Sequence, residues 1–480
     1  MKKFLKKALL GVAVLPAAFM LTACDSEPTD PINISKATVT LGYTQVDYDG
    51  NEKEPEVVIA YDGERISKEH YKVEYLNNVE AGTAAAIVSA SRESDELVGS
   101  VVLYFNIRKS NAMVNTYNKL TSALANDNYK AAVLTTNITV PAGKKLEIDE
   151  DDVVHFGNYT IANYGTIENE GTIITRKPIE GNGVIENTGN IEAHATDVDS
   201  MLAAFEYADT IVLDNDIKKQ DGYLGDIHWV VAEGRPSYKF TLDLNGHAVE
   251  SELDIFDCVN HGNNTWEYRN TALDITITDT SILRTGCLGS NESDYGLYVR
   301  CNNSNQKITI KNVTLKGQDG GLYTNGGASA DVVIEAQNSR FIGTDNVGGF
   351  GAYVVANYTY IYTNCEFTGL DGYYTKSGKH TFNSCSFYAN GAPAVEEHFG
   401  NGAYSTGSGI NVDSSTGYHQ VLQVTVNGGF IKSNGYGIYE FSTAKQGETK
   451  ISYGTVTVNP SVVFNTVLAN IQSNNDVVNK

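Results

Sequence analysis

The sequence predicts an all-β chain: a β-sandwich followed by a coiled parallel sheet, a solenoid, with short amphipathic helices at its entrances. Three patterns predict it. Between residues 32 and 109 apolar and polar residues alternate at period two, as strands with one buried face require. From 161 to 191 isoleucine returns every six residues, and in the C-terminal half like residues return every 26. A fixed period of aliphatic, Asn and Gly positions marks a coiled sheet, because each turn must bury one apolar row and bend at the next.

The N-terminus is read first as an address. Four lysines precede an apolar stretch from Ala8 to Leu21, which is short for a permanent membrane span and has the order of a secretory signal peptide over residues 1–23. Leu21-Thr22-Ala23-Cys24 resembles a bacterial lipobox. The resemblance implies cleavage before Cys24, diacylation of its thiol, and a lipid-anchored, extracytoplasmic protein at the cell surface. Residues 24–31 would then be a short acidic tether. Asp25, directly after the anchor, would favour inner-membrane retention in some Gram-negative envelopes.

The chain carries a formal charge of −23; losing Lys2, Lys3, Lys6 and Lys7 with the leader leaves 31 basic residues against 58 acidic ones, or −27. Such a surface repels phosphate backbones, so nucleic acid is not an expected partner, and it suits a divalent cation. Apart from Cys24 there are five cysteines, an odd number without C-x-x-C spacing. A disulfide framework is not expected in a chain long enough to bury a large core.

Within 32–109, Tyr71, Val73 and Tyr75, then Ala84, Ala86 and Val88, then Val101, Leu103, Phe105 and Ile107 mark inward rows, with turns at Asp49-Gly50 and Asp62-Gly63. YDGNEKEPEVVI, YKVEYLNNVEAGTAAAIV and GSVVLYFNI resemble the immunoglobulin-like repeats of bacterial surface proteins. The resemblance implies a spacer, and nothing here gathers titratable groups into a site.

Residues 110–195 open with Tyr117, Leu120 and Leu124 on one helical face and turn to strand at Val133-Leu134. A second copy of that order appears at 196, with Val198, Met201, Leu202 and Phe205 followed by Val212-Leu213. Ile161, Ile167, Ile173, Ile179, Ile185 and Ile191 then give the six-residue coil, whose hand stays open. In 196–480 the rungs lengthen: Leu315, Phe341 and Phe367 are 26 apart, as are Asn312, Asn338 and Asn364. TLDLNGHAV, ITIKNVTL and YTNCEF resemble the right-handed parallel β-helix proteins grouped with pectate lyases. The resemblance implies fold more than chemistry, because that architecture hosts lyases, hydrolases, esterases and adhesins.

Stacking turns equal spacing in sequence into columns in space. Phe341, Phe367 and Phe387 should face inward with Cys365 and Cys385, the cysteines forming a core pair rather than a redox or metal site. The Asn column fits left-handed turn positions. Tyrosine follows glycine by two at Tyr298, Tyr323, Tyr353 and Tyr374, and alternation sends these rings outward as an exposed strip that either covers the sheet or binds a sugar. Asp319, Asp345 and Asp371, again 26 apart, could stack three carboxylates and hold calcium, or be solvated turn residues. For catalysis the sequence offers Lys376, Arg340 and Arg300, and a long connection with Glu396, Glu397 and His398, but no recognised catalytic signature. His380 aligns with the inward row. The first expectation is a monomeric adhesin or glycan-binding lipoprotein with a glycan or cell-surface protein as partner and no assured cofactor. The alternative is a lyase or hydrolase of an acidic polysaccharide.

Overall fold

The computed structural model describes residues 31–218 and 227–479, apart from 231–236, 261–265, 269–270, 304, 326–330, 345–348, 393–396, 399–403, 414–421, 442–444, 447–448, 451–453 and 474–477. The leader, Cys24 and nearly all of the tether lie outside the described residues. No helix among those described is long and apolar enough to cross a membrane. The chain divides into two compact units, residues 1–110 and 111–480.

The first unit is built from small sheets around one apolar cluster. Gln45–Asp47, Ser100–Arg108, Gly82–Ala90 and Tyr71–Leu76 form one sheet, and Thr38–Leu41, Val57–Tyr61 and Glu64–Arg65 another. Val57 and Ile59 from the second meet Tyr71, Ala86 and Val88 from the first. Period two is visible in the result: Phe105 and Ile107 are buried while Tyr104 between inward neighbours is 67% exposed. Asp62 and Gly63 both take positive φ, as the two-residue turn joining Val57–Tyr61 to Glu64–Arg65 demands.

The second unit is a parallel β-solenoid. A continuous 21-stranded sheet runs from Ser110–Val114 to Val478–Asn479, so the stretches on either side of residue 195 share one sheet. In the first coils, two further short sheets close the section. Ile167 pairs with Ile185 and Ile173 with Ile191, so the six-residue period walks round three sides and one turn takes 18 residues. In the later coils the second wall is a nine-stranded sheet: Ile227–Val230, Leu253–Phe256, Tyr295–Arg300, Gly320–Thr324, Phe350–Val354, Tyr373–Thr375, Ile410–Asp413, Ile438–Phe441 and Ile471–Ser473.

Among the described residues, two helices punctuate this unit. Helix α1 (Tyr117–Leu124) is capped by Thr116 and buries Leu120 and Leu124 over the first coils. Helix α2 (Val198–Ala204), held by a capping box between Asp197 and Ser200, inserts Val198 and Met201 into the second core. It therefore lies at an internal seam: one core spans Ala112 to Ile191 and the other Ala193 to Val462.

Inside the later coils the expected columns form. Leu315, Phe341, Phe367, Phe387 and Ile431 are partners rung by rung, with Phe341 and Phe367 stacked at 4.8 Å and Phe367 and Phe387 at 5.1 Å. Asn312, Asn338 and Asn364 all have positive φ, and the side-chain amides of Asn338 and Asn364 each donate to Oδ1 of the preceding Asn at 3.4 Å. All five later cysteines are free thiols, with Cys365 and Cys385 buried.

Candidate functional site

The outer face of the nine-stranded sheet gathers the polar and aromatic groups that the tyrosine spacing points to. Asp254, Tyr298, Tyr323, Tyr353, Tyr374, Asn411 and Tyr439 are successive partners. Their neighbours Leu297, Leu322, Ala352, Tyr373, Ile410 and Ile438 point the other way, into the core. Tyr298 lies 4.6 Å from Tyr323, Tyr323 stacks on Tyr353 at 5.4 Å, and Tyr353 meets Tyr374 edge-on at 5.4 Å. The glycine two places before each tyrosine has a steric cause. A Cβ on Gly321 would stand 2.6 Å from the Ile342 nitrogen, and one on Gly351 would stand 2.1 Å from the Gly372 oxygen, where two walls of the coil meet at a corner.

The strip is outward but not uniformly exposed, which corrects the expectation for half of it. Tyr298 and Tyr323 are half-buried, whereas Tyr353 is 3% and Tyr374 0% exposed. Both belong to a second apolar cluster, outside the coil, with Phe350, Val355 and Phe441. Phe350 packs at 5.5 Å from Tyr353 and 5.1 Å from Tyr374. Alternation settles which side of the sheet a ring takes, but not what lies over that side.

Beside the tyrosines runs a charged column. Lys376 directly follows the Tyr373–Thr375 strand, and its nitrogen bonds to the Val354 oxygen. Its ammonium stands 3.8 Å from Asp413 Oδ2, which also accepts a 2.9 Å hydrogen bond from the Tyr374 hydroxyl. The Lys376 and Asp413 side chains are only 7% and 3% exposed. Lys376 also faces the rings of Tyr353 and Tyr374, 5.9 and 5.8 Å from their centroids. Burial lowers the Lys376 pKa, and the Asp413 charge opposes that shift only in part. Three groups able to exchange protons thus meet on one face; the sequence points to Tyr374 as a ligand-binding ring and to Lys376 as a candidate base, but not to Asp413. The missing signal is spacing: the step from Tyr374 to its partner Asn411 is 37 residues, not 26.

The other predicted residues are placed as follows. Arg300 donates to the Tyr298 hydroxyl at 3.4 Å, and exposed Arg340 pairs with Glu366 at 3.2 Å. Asp319 is half-buried, and Asp345 lies outside the described residues. Asp371 is fully buried and takes no place in a solvated acidic column. Its carboxylate accepts hydrogen bonds from the Thr406 nitrogen at 3.1 Å, the Ser408 nitrogen at 2.6 Å and the Asn411 amide at 3.1 Å. Burial nevertheless pushes its pKa up to about 7. A cation there would meet N–H donors around an engaged carboxylate, and among the described residues no group of three or more His, Cys, Asp or Glu side chains could hold a metal. Glu396 and the side chains of Glu397 and His398 lie outside the described residues. His380 stacks on Tyr360 at 4.6 Å inside the coil, bonded to the Tyr373 hydroxyl at 2.9 Å, and burial depresses its pKa to about 3.

A second titratable cluster lies on the first coils. His194 bridges Glu192 at 3.1 Å and Asp214 at 2.7 Å, and Arg176 pairs with Asp214. A cavity of about 180 Å³ beside them is lined by His155, Arg176 and His194. Both ring nitrogens of His194 are engaged, so the cluster reads as a clamp between rungs. The chain matches no protein-family model, no curated protein and no solved structure.

Proposed function

We propose that the outer face of the nine-stranded sheet cleaves a polysaccharide, with Lys376, Tyr374 and Asp413 as the reacting groups. The buried contact among these three carries the reading. A lysine whose pKa is lowered by burial has more of the uncharged amine that abstracts a proton. On an acidic polysaccharide the chemistry is a β-elimination. Lys376 takes the proton from the carbon beside the uronate carboxylate, the bond to the glycosidic oxygen breaks as the double bond forms, and Tyr374 donates its proton to the leaving oxygen. Proton return from Lys376 to Tyr374 through Asp413 restores the start. All three groups are covered in this conformation, so turnover requires the cover to part, and half-buried Tyr298 and Tyr323 are the accessible end where sugar faces would first stack.

A second reading, glycan binding without turnover, is favoured by the contiguous rings of Tyr295, Tyr298 and Tyr323, of which Tyr295 stacks on Tyr323 at 4.5 Å. In either case we read the solenoid as a right-handed β-helix of the pectate-lyase kind, the first unit as an immunoglobulin-like spacer, and Cys24 as the lipid attachment at the cell surface. The test is incubation with uronate-containing polysaccharides, followed by ultraviolet absorbance of unsaturated products. Lys376→Met and Tyr374→Phe should each lower the rate by about 100-fold or more with circular dichroism unchanged. Retention of a glycan without product, lost in Tyr323→Ala, would replace the enzyme by the binder. Neither product nor retention would overturn both.

A further inference from the structure

We infer that the free edge of the Val184–Asn187 strand docks an extended peptide of a partner protein, which adds as a parallel strand with an apolar residue over Ile185 and a basic residue over Glu186. Three observations on this side of the first coils converge.

The first is an unfinished apolar column. Leu146, Ile167 and Ile185 are partners in a three-stranded parallel sheet, and Leu146 and Ile167 are 0% exposed. Ile185, the last of the row, is 41% exposed and its neighbour Val184 is 55% exposed. The row stops because the chain beyond Ala195 turns into α2, and among the described residues this sheet gains no further strand. Exposed strand edges are usually blunted by Lys, Pro or a bulge, and Val184–Asn187 carries none of these.

The second is space of the right shape. A cavity of about 500 Å³ lies against the edge, bounded by Ile179, Ile185, Asn187, Tyr207, Tyr238 and Phe240. Asn187, Glu206, Asp209 and Lys239 also line it, so the walls offer an inserted strand apolar side chains and polar groups in about equal share. The end of the groove is fixed: Asn169 donates to Asn187 at 2.7 Å, and Asn187 donates to Asp209 at 2.8 Å. Val184 is committed to the preceding rung, its nitrogen to the Gly165 oxygen and its oxygen to the Asn163 amide, each at 2.9 Å, so pairing centres on Ile185 in a short strand addition.

The third is charge. Glu147, Glu168 and Glu186 form the outward column of the same sheet. Lys145 pairs with the first two, Glu147 at 2.9 Å and Glu168. Among the described residues no cation pairs with Glu186, and the rim of the groove carries Glu206 on one wall and Lys239 on the other. An incoming Lys or Arg would extend the ladder that Lys145 begins, whereas an acidic residue would be repelled. A second copy of this chain offers the same strand, which would bring Glu186 against Glu186.

The probe is a fluorescein-labelled peptide, Gly-Thr-Val-Ile-Lys-Asn-Gly, titrated with the full chain by fluorescence anisotropy, beside a form with Glu in place of Lys. The Lys peptide should bind saturably, and the Glu peptide about fivefold more weakly. Glu186→Lys, a substitution on an exposed side chain, should reverse that preference, and Ile185→Asp should abolish binding of both. Equal binding of the two peptides, no reversal in Glu186→Lys, or no binding at all would overturn the inference. Self-association lost in Ile185→Asp, with no peptide bound, would also overturn it and give the edge to a second copy. None of these readouts involves Lys376, so they stand or fall apart from polysaccharide cleavage.

Discussion

Asp371 is a carboxylate held in a sheet interior by backbone donors, and its protonation follows from that conflict. Loss of water raises its pKa to about 7, while the Ser408, Asn411 and Thr406 donors pull the other way. A folded-state pKa above the unfolded value of 3.8 means that its protonated form favours the fold, so stability from this group is present below pH 4 and lost as pH rises toward 7. Melting temperatures measured from pH 4 to 8 should show that fall, and Asp371→Asn should flatten it; an unchanged profile in Asp371→Asn would refute the assignment. His194 acts in a later window. Hydrogen bonding to Glu192, and then to Asp214, raises its pKa against the opposing effect of burial. Its contribution is complete below the unfolded value of 6.5 and lost as pH rises through the raised value, so His194→Gln should remove a stability loss on the alkaline side only. Neither environment was legible in the sequence. Asp371 follows a corner, where the period-two count from Phe367 breaks, and the partners of His194 come from two different rungs.

At the scale of the element, repeat spacing did carry the register. The Gly-x-Tyr step announces a corner glycine and an outward ring, and the Asn column announces left-handed turns, because both needs recur identically on each rung. Gly351→Ala should therefore be costly, about 1–3 kcal/mol, since the atoms in its way are backbone. Asn338→Gly should cost little backbone strain, while Asn338→Val should lose about 1–2 kcal/mol from the left-handed turn. Thermal melts of the three variants check this order, and a tolerated valine would contradict it. Burial of Tyr353 and Tyr374 was not legible, because the residues that pack on them, Phe350, Val355 and Phe441, do not recur at a fixed spacing. The pairing of Lys376 with Asp413 escaped for a related reason: a long rung hides a partner that equal spacing would have revealed.

Across the whole molecule, the first apolar cluster draws on residues 32–103, and those of the second unit begin at Ala112. A chain of residues 111–480 should accordingly keep the melting temperature that the second unit has in the full protein; a large drop would show that the units stabilise each other. The net charge of −23 also bears on the proposed substrate. A polyanion approaches against long-range repulsion, so KM for a uronate polymer should fall as salt is raised from about 0.01 M to 0.1 M, where the screening length shrinks from about 30 to 10 Å. A KM that rises with salt would point to attraction by Lys376 and Arg300 as the stronger effect.

The continuous sheet has a mechanical corollary. Its hydrogen bonds point along the axis of the coil, so tension between the two ends of the solenoid would load successive rungs in series rather than shear all of them together. Each 26-residue rung that peels away frees roughly 90 Å of chain. Under an applied pull this unit would pay out stepwise, behaving as a ratcheted tape more than as a rigid post.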